Sequence, residues 1–579
     1  MPSLRQFHGQ GRTAVRAGQF RDMSEPSAAS ASASIRDLVE ACARFVQAKV
    51  SAYDELDAAA GDGDFGGVLA LAGRRVESAL ATDGQQGGSR AVLLAAATAV
   101  GDVGGTTGPI WGAGLLRLAE TVGDNPSKSD LGTALRGAAD AISELGGAKA
   151  GDKTLLDALL PAAEALEGGG ATDDAVAAAR SGADSTSELT AVRGRASYQG
   201  EKSQGAPDAG AVAIADLVEF VGGLLAGTAD APGPVEDAAA AAGGGRGAHG
   251  HLVRDPDALV DEALAGLALA HPDLLRVETD PRFAVRVDAP VAGKVGLVSG
   301  GGAGHEPMHA GLIGPGLLDA ACPGEVFASP SASQVAAAIR ACDSGAGVLL
   351  IVKNYTGDVL NFRLAAQLVA ADGIRTETVL VADDVAVDGS TATIGRRGVA
   401  GTVLVEKICG AAAEAGADLD ALAVLGRRVA ATTVSMGAAV SGVTLPAGGD
   451  PAIALEPGQM EVGVGIHGEP GRDRRDAEPA DAVVAGLLDA VLDDLPDGDG
   501  ELLVFTNNLG GLPALELYAA HHLAVAALGE RGLTVGRHLV APLVTSLGMV
   551  GLSITLLRLD EELARYWDAP CRSQGWTVS

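Results

Sequence analysis

Aromatic residues are scarce in this 579-residue chain: Phe, Tyr and Trp make up 3% of it, against 47% apolar residues of all kinds. Its cores must therefore be built from Ala, Val, Leu and Ile. Basic residues are also short, with 42 Lys and Arg against 74 Asp and Glu, for a net charge of −32. That balance disfavours nucleic acid or an anionic membrane as partner, because both bind through basic patches. The five cysteines (Cys42, Cys322, Cys342, Cys409 and Cys571) are scattered, with no CxxC pair and no metal-ligand spacing. That pattern fits a reducing, cytoplasmic compartment. No uncharged apolar run reaches the roughly 18 residues a spanning helix needs. Residues 1–33 lack the apolar stretch of a secretion signal, so they read as a disordered extension, with Met23 as an alternative start.

A chain of this length exceeds one core and implies at least two domains. The 82 glycines follow no collagen-like period, and the apolar content argues against wholesale disorder. Composition breaks at 227–250, an Ala, Gly and Pro stretch with nothing to pack, which reads as a flexible linker. Residues 34–226 before it repeat apolar positions at helical spacing, as in IRDLVEACARFVQAKV and LLDALLPAAEAL, and predict an all-helical domain. In 251–576 short buried runs end in glycine-rich turns and pass into helical stretches: KVGLVS before GGGAGHEP, GVLLIV before KNYTGD, ELLVF before TNNLGG. That grammar predicts α/β architecture with largely parallel strands, with ligands beyond the strands' carboxyl ends.

Several segments carry chemistry. In LDAAAGDGDFGG (56–67), Asp57, Asp62 and Asp64 crowd three carboxylates together, which either form an acidic solvated turn or hold a cation such as Mg²⁺ that neutralises their repulsion. GDVGGTTGPIWG (101–112) is a glycine-rich turn leading into a helix, able to wrap phosphates with backbone N–H groups, although no Walker lysine follows. RGRASYQGEKSQGAPDAG (193–210) offers Arg195 and Lys202 as phosphate contacts or as solvated charges. In the second domain His305 follows a strand and a triple glycine, and Lys353 and Asp358 follow the next clear strand. Strand ends with glycine access suit general acids and bases. GVGIHGEPG (463–471) sets a single imidazole, His467, among glycines, where a small molecule can reach it or where it simply faces solvent.

Taken together these motifs resemble the dihydroxyacetone kinase family over nearly the whole chain after residue 33. SGGGAGHEP, GEVFASPS, KNYTGDVLNF, GIHGEPG and TSLGMVGLSITLL resemble its ketose-binding, DhaK-type module. LDAAAGDGDFG, GGTTGP, GDKTLLDALLPA and GRASYQGEKS resemble its nucleotide-binding, DhaL-type module. The resemblance implies a multidomain protein: an N-terminal all-α helical barrel and a C-terminal two-part α/β domain, often dimeric through the latter. It implies an ATP-dependent kinase acting on a terminal hydroxyl of dihydroxyacetone or a tetrulose such as D- or L-erythrulose. The ketose would be held covalently as a hemiaminal on His467, since a neutral imidazole is a nucleophile and a carbonyl an electrophile. His305 and Asp358 would do acid–base work on the hydroxyl. Gly302, Ala303, Gly304 and Lys353 would bind the substrate.

Asp57, Asp62 and Asp64 would hold two Mg²⁺ ions across the ATP phosphates. Phe65, Gly66, Gly67, Val68, Gly104, Gly105, Thr106, Thr107, Gly146, Leu155, Arg195, Asp208, Ala209 and Gly210 would line the nucleotide site. Three departures from the family pattern stand out. The two modules run in reversed order, Phe65 replaces a histidine common after the acidic motif, and Ala303 replaces a common serine. A non-catalytic ketose- or nucleotide-binding regulator and an FMN-cyclase side activity are the alternatives that relatives of these modules raise.

Overall fold

The computed structural model describes residues 34–59, 63, 65–82, 88–123, 126–194, 196–197, 200, 203–233, 251–387, 395–446 and 453–579. The 1–33 extension, Asp62, Asp64, Arg195, Lys202 and the 234–250 part of the expected linker lie outside the described residues.

Among the described residues the first part is helical: α1 (Ile35–Gln47), α2 (Val50–Ala58), α3 (Phe65–Thr82), α4 (Ser89–Gly101), α5 (Thr107–Thr121), α6 (Lys128–Gly146), α7 (Leu156–Glu167), α8 (Thr172–Ser185) and α9 (Ala209–Ala226). Reciprocal capping boxes set two of the starts. The Ser34 hydroxyl accepts from the Asp37 N–H while Asp37 accepts from the Ser34 N–H, and Ser127 and Asp130 repeat the arrangement. Each helix from α3 to α9 packs on its neighbour in sequence, and α9 returns against α1, closing the ring around α2 at one end. Buried alanines (Ala158, Ala162, Ala179, Ala183, Ala211, Ala215) let α7, α8 and α9 approach closely. Helix α9 is long and apolar enough to cross a membrane, with mean hydropathy 1.8. Here it is one wall of the ring, and its Asp216 accepts from Arg180 of α8 at 2.7 Å.

The second part has two six-stranded sheets. After α10 (Leu259–Ala270), the first is built from β1 (Leu275–Thr279), β2 (Arg282–Arg286), β3 (Gly296–Ala303), β4 (Ala320–Val326), β5 (Val348–Lys353) and β6 (Thr376–Val381), in the order β1-β2-β4-β3-β5-β6. Its helices are α11 (Ala332–Cys342), α12 (Thr356–Ala370), α13 (Gly401–Glu414) and α14 (Leu419–Thr432). The second sheet holds β7 (Thr433–Ala439), β8 (Gln459–Val462), β9 (Asp473–Asp476), β10 (Glu501–Asn508), β11 (Val535–Ala541) and β12 (Gly551–Leu559), in the order β11-β10-β12-β7-β8-β9, with α15 (Ala480–Asp494) and α16 (Ala514–Glu530) on its outer face.

Helices α13 and α14 lie between the sheets, so one core joins Leu349 and Ile351, Val403 and Leu404, and Leu503 and Phe505. Each such side chain contributes about 1.5–3 kcal/mol by leaving water. This shared layer makes the two sheets one body.

The expectation of largely parallel strands holds in the first sheet for β3, β4, β5 and β6, while β1–β2 and β2–β4 are antiparallel. In the second sheet β10 and β11 are parallel, while β10–β12, β12–β7, β7–β8 and β8–β9 are antiparallel. A short loop rather than a crossover helix joins β8 to β9, so these strands reverse direction.

Candidate active site

The triple glycine expected as a turn is strand: β3 runs through Gly300, Gly301 and Gly302 to Ala303, and the chain turns only at Gly304, whose φ is +104°. Close approach explains these glycines. A Cβ on Gly300 would lie 2.6 Å from the Cys322 carbonyl oxygen, one on Gly302 2.6 Å from Phe327, and one on Gly301 2.1 Å from Lys353 Nζ. The bare strand lets the lysine from β5 lie across it.

His305 emerges just past that turn and is buried. Its Nδ1 is 2.8 Å from the Thr545 carbonyl oxygen, so Nδ1 carries the proton and donates it. Nε2 is left as a lone pair, with no hydrogen-bond partner among the described residues. Burial, then the charges of His467 and Lys353, hold the imidazole well below its usual range, so it stays neutral. Phe327 stacks on its other face at 4.9 Å and has a left-handed φ of +57°. Such strain in a bulky residue persists where the surroundings impose it.

His467 sits between β8 and β9, its ring edge-on to His305 (4.8 Å), Phe327 (5.4 Å) and Tyr355 (4.7 Å). Both Glu469 oxygens turn back on it: Oε2 accepts the His467 backbone N–H at 3.0 Å and Oε1 lies 3.0 Å from Nδ1. Burial alone would raise the Glu469 carboxyl, but His467, by charge and hydrogen bond, and then Arg397 hold it well below the usual carboxylate range. An ionised Glu469 fixes the proton on Nδ1 and leaves Nε2 free as a nucleophile. Buried Arg397 anchors this loop, donating to Asp384 Oδ2 at 2.8 Å and to the Gly463 carbonyl at 2.9 Å. A Cβ on Gly465 would lie 2.0 Å from Glu469 Oε2, so the glycine is what allows the carboxylate to fold inward.

Lys353 ends β5 and Asp358 lies in the first turn of α12, with Lys353 Nζ 3.6 Å from Asp358 Oδ2. Asp358 Oδ1 is buried with no hydrogen-bond partner among the described residues. The structure thus brings His305, His467, Lys353 and Asp358 together beyond the carboxyl ends of β3 and β5, with free polar atoms on His305 and Asp358. Ala303 shares the face of β3 that carries Ser299 and Gly301.

In the helical part, Gly104, Gly105, Thr106 and Thr107 form the N-terminus of α5, where unsatisfied N–H groups favour anions. Around them a Cβ on Gly146 would touch Ile110, Ile110 packs with Leu155, and a Cβ on Gly210 would touch Leu155 and Asp208. Asp208 caps α9, which begins at Ala209. Burial, and then the nearby charges of Asp57 and Asp157, push the Asp208 carboxyl up to about 7. The nearby Lys153 ammonium already donates to the Thr186 and Ala206 carbonyls, at 2.8 and 2.7 Å. This accumulation of hard oxygen donors under mutual repulsion is an environment a divalent cation would relieve, so Asp57 fits the metal expectation. Among the described residues no three ligand-type side chains converge, Asp62 and Asp64 being outside them.

At the N-terminus of α3, Asp54 accepts from the Gly66 and Gly67 N–H groups at 2.7 and 3.1 Å. Phe65 turns into the helical packing beside Tyr53 and Leu69, with Val68 half-buried nearby.

The two parts meet at these sites. The Gly105 N–H donates to the Ser329 carbonyl at 2.9 Å, Asn361 Nδ2 donates to the Gly105 carbonyl at 2.8 Å, and Ser333 Oγ donates to Asp102 Oδ1 at 2.5 Å. Leu360 of α12 packs into the helical cluster of Ile110, Leu155 and Leu156. A Cβ on Gly357, beside Asp358, would stand 3.0 Å from Gly105. The N-terminus of α5 therefore abuts the helix that carries Asp358.

Glu469, Arg397, Phe327, Tyr355 and Thr545 were not singled out as site residues by the motifs. Glu469, Phe327, Tyr355 and Thr545 stand within the quoted GIHGEPG, GEVFASPS, KNYTGDVLNF and TSLGMVGLSITLL segments, whereas Arg397 lies outside all of them.

Comparison with known proteins accords with this geometry. The Dak1 domain family matches residues 265–575 and the DAK2 domain family residues 59–222. The chain belongs to the dihydroxyacetone kinase family, with its DAK2 domain first and its Dak1 domain second. It is 46% identical over 345 residues to the dihydroxyacetone-binding subunit of the PEP-dependent dihydroxyacetone kinase of Escherichia coli K12, covering 55% of this chain and 96% of that one. It is 41% identical to the L-erythrulose 1-kinase of Mycolicibacterium smegmatis, over 56% of this chain and 58% of that one. Among solved structures, the dihydroxyacetone kinase from C. freundii in complex with AMP-PNP and Mg²⁺ aligns with a TM-score of 0.53 and 39% identity, over 57% of this chain and 61% of that one. The chain thus spans about three-fifths of the length of these two longer relatives.

Proposed function

We propose that this chain is an ATP-dependent kinase of short-chain ketoses, with nucleotide site and ketose site contributed by its two domains. The observation that carries the reading is the pair of free ring nitrogens, His467 Nε2 and His305 Nε2, beside Asp358 and against the docked N-terminus of α5. Being named for ketose phosphorylation, the relatives support the same chemistry.

In this reading the His467 Nε2 lone pair adds to the ketone carbon. The carbonyl π bond breaks, its oxygen takes up a proton, and the substrate is held as a hemiaminal while Glu469 stabilises the ring through Nδ1. Lys353 and the Gly302 to Gly304 segment hydrogen-bond the anchored ketose. His305 Nε2, neutral through burial, accepts the proton of the terminal hydroxyl as that oxygen bonds to the terminal phosphorus of ATP and the bond to ADP breaks, ADP leaving with the electron pair and Asp358 completing the acid–base pair. Gly104, Thr106 and Thr107 hold phosphates through backbone N–H groups while Gly105 docks on Ser329, and Gly146, Leu155, Arg195, Asp208, Ala209, Gly210 and Phe65 to Val68 surround the nucleotide. Asp57 with Asp62 and Asp64 would hold two Mg²⁺ ions, which neutralise charge on the phosphoryl in transfer. A homodimer formed through the α/β part and a cytoplasmic setting belong to the same reading, the latter in keeping with five free cysteines.

A ketose panel with ATP and Mg²⁺ tests it. A hemiaminal anchor fixes the carbonyl carbon, so longer chains extend from that point, and Ala303 presents a methyl where a hydroxyl would narrow and polarise the pocket. Dihydroxyacetone and at least one erythrulose enantiomer should be phosphorylated, with kcat/KM values within roughly tenfold, the worth of about one hydrogen bond. Glycerol, lacking a carbonyl, should be inert. Efficient glycerol phosphorylation would overturn the carbonyl anchor.

A further inference from the structure

Behind Lys353 lies a buried pair for which the proposed chemistry has no use. His309 follows His305 beyond the end of β3, and Glu406 sits in the middle of α13, both shielded from solvent. Lys353 Nζ lies 2.8 Å from His309 Nε2 and 2.9 Å from the Gly300 carbonyl oxygen. On the far side of the ring, His309 Nδ1 lies 2.7 Å from Glu406 Oε1 and 3.1 Å from Ser299 Oγ, whose own proton goes to the Ile351 carbonyl at 2.8 Å. An ammonium has only donors, so His309 Nε2 accepts from Lys353 and the ring proton resides on Nδ1, pointing at Glu406. A carboxyl group in an apolar layer between two sheets is costly for packing alone.

We propose that His309 and Glu406 are positioning residues for ketose binding. They engage one of the three Lys353 N–H bonds, a second goes to Gly300, and the third is left aimed at the ketose and Asp358. The 3.6 Å from Nζ to Asp358 Oδ2 is too long for a hydrogen bond and leaves that third N–H for a ligand oxygen. The inference rests on the ketose-kinase reading, because it gives Lys353 the substrate-binding role. Burial and then the Lys353 charge keep His309 well below its usual range, and burial pushes Glu406 up to about 8. Lys353 is the charged group nearest this pair, with Asp358, His305, His467 and Glu469 beyond it. At neutral pH the pair holds the ammonium without adding a second charge to it.

The test is a double-mutant cycle read by dihydroxyacetone binding in calorimetry, on full-length protein. His309→Leu should weaken binding about tenfold, and His309→Gln, whose amide oxygen can accept from Lys353, should recover most of that. Combining His309→Leu with Lys353→Met should bind no worse than Lys353→Met alone, because His309 acts through that lysine. A merely structural role would give neither the rescue nor the masking, so additive losses, or no rescue by Gln, would overturn the proposal. If His309→Leu fails to fold, Glu406→Leu against Glu406→Gln supplies the same comparison, since Gln keeps an acceptor for the ring proton. Wild-type protein that binds the ketose without phosphorylating it would sink the kinase reading and leave the cycle interpretable. Absence of wild-type binding would overturn both.

Discussion

In the proposed chemistry, nucleophilic attack on a ketone needs an imidazole with one nitrogen protonated and the other bare, and the pairing of His467 with Glu469 suits that role. The carboxylate dictates which ring nitrogen carries the proton, and the other nitrogen is thereby free to attack. His467→Ala should abolish both a ketose adduct, seen as a bond to the ring in a ketose-soaked crystal, and turnover. Normal turnover by that variant would refute the covalent role. Glu469→Gln should keep the loop shape but lose the charge that stabilises the ring as it becomes cationic, lowering kcat by about 10–100-fold, the range of a charge-assisted hydrogen bond. His467, His305, Lys353 and Asp358 were legible as candidates because glycine runs and strand ends mark reachable positions in a sequence. Arg397, His309 and Glu406 were not, because each acts across a tertiary contact with an element remote in the chain, and nothing in their local sequence records it.

Helix α13 carries Glu406 as a burden whose sign can be measured. The folded protein holds this carboxyl protonated up to about 8, whereas its ordinary value is 4.5. Its contribution to stability is therefore complete below about pH 4.5 and is lost progressively as pH rises towards 8, where folding must retain a proton that the unfolded chain releases. Glu406→Gln has no such term, so its Tm relative to wild type should climb between pH 5 and pH 8 and level off above. A constant difference across that window would mean that the carboxyl is ionised throughout. At the same scale, the helix–strand alternation was readable in the second domain but the direction of β7, β8, β9 and β12 was not. A buried strand shows the same apolar run whether its neighbour is parallel or antiparallel. The ring of α1 and α3 to α9 was legible from periodicity only as helices, and its closure into a barrel came from the family resemblance alone, since closure depends on α9 finding α1.

Across the whole molecule, the contact between α5 and α12 explains how reversed domain order still allows transfer. Gly105, Asn361, Ser329, Ser333 and Asp102 fasten the N-terminus of α5 beside Asp358 within one chain. Gly104→Ala would drive a methyl to 1.9 Å from the Ser329 carbonyl oxygen, so docking must loosen. Asn361→Ala removes a buried hydrogen bond across the same contact, worth about 1 kcal/mol, and should lower kcat roughly fivefold with ketose affinity unchanged by calorimetry. Transfer within the chain has a sharper consequence. A tether holds the two domains at an effective concentration on the order of millimolar, so a nucleotide site should serve the ketose site of its own chain. Mixing Asp57→Asn protein, impaired in the helical part, with His467→Ala protein, impaired in the α/β part, should therefore restore no activity. Each chain would present one defective site to its own intact one. Recovery on mixing would show that the nucleotide domain reaches across to another subunit, and that the contact between α5 and α12 forms between chains.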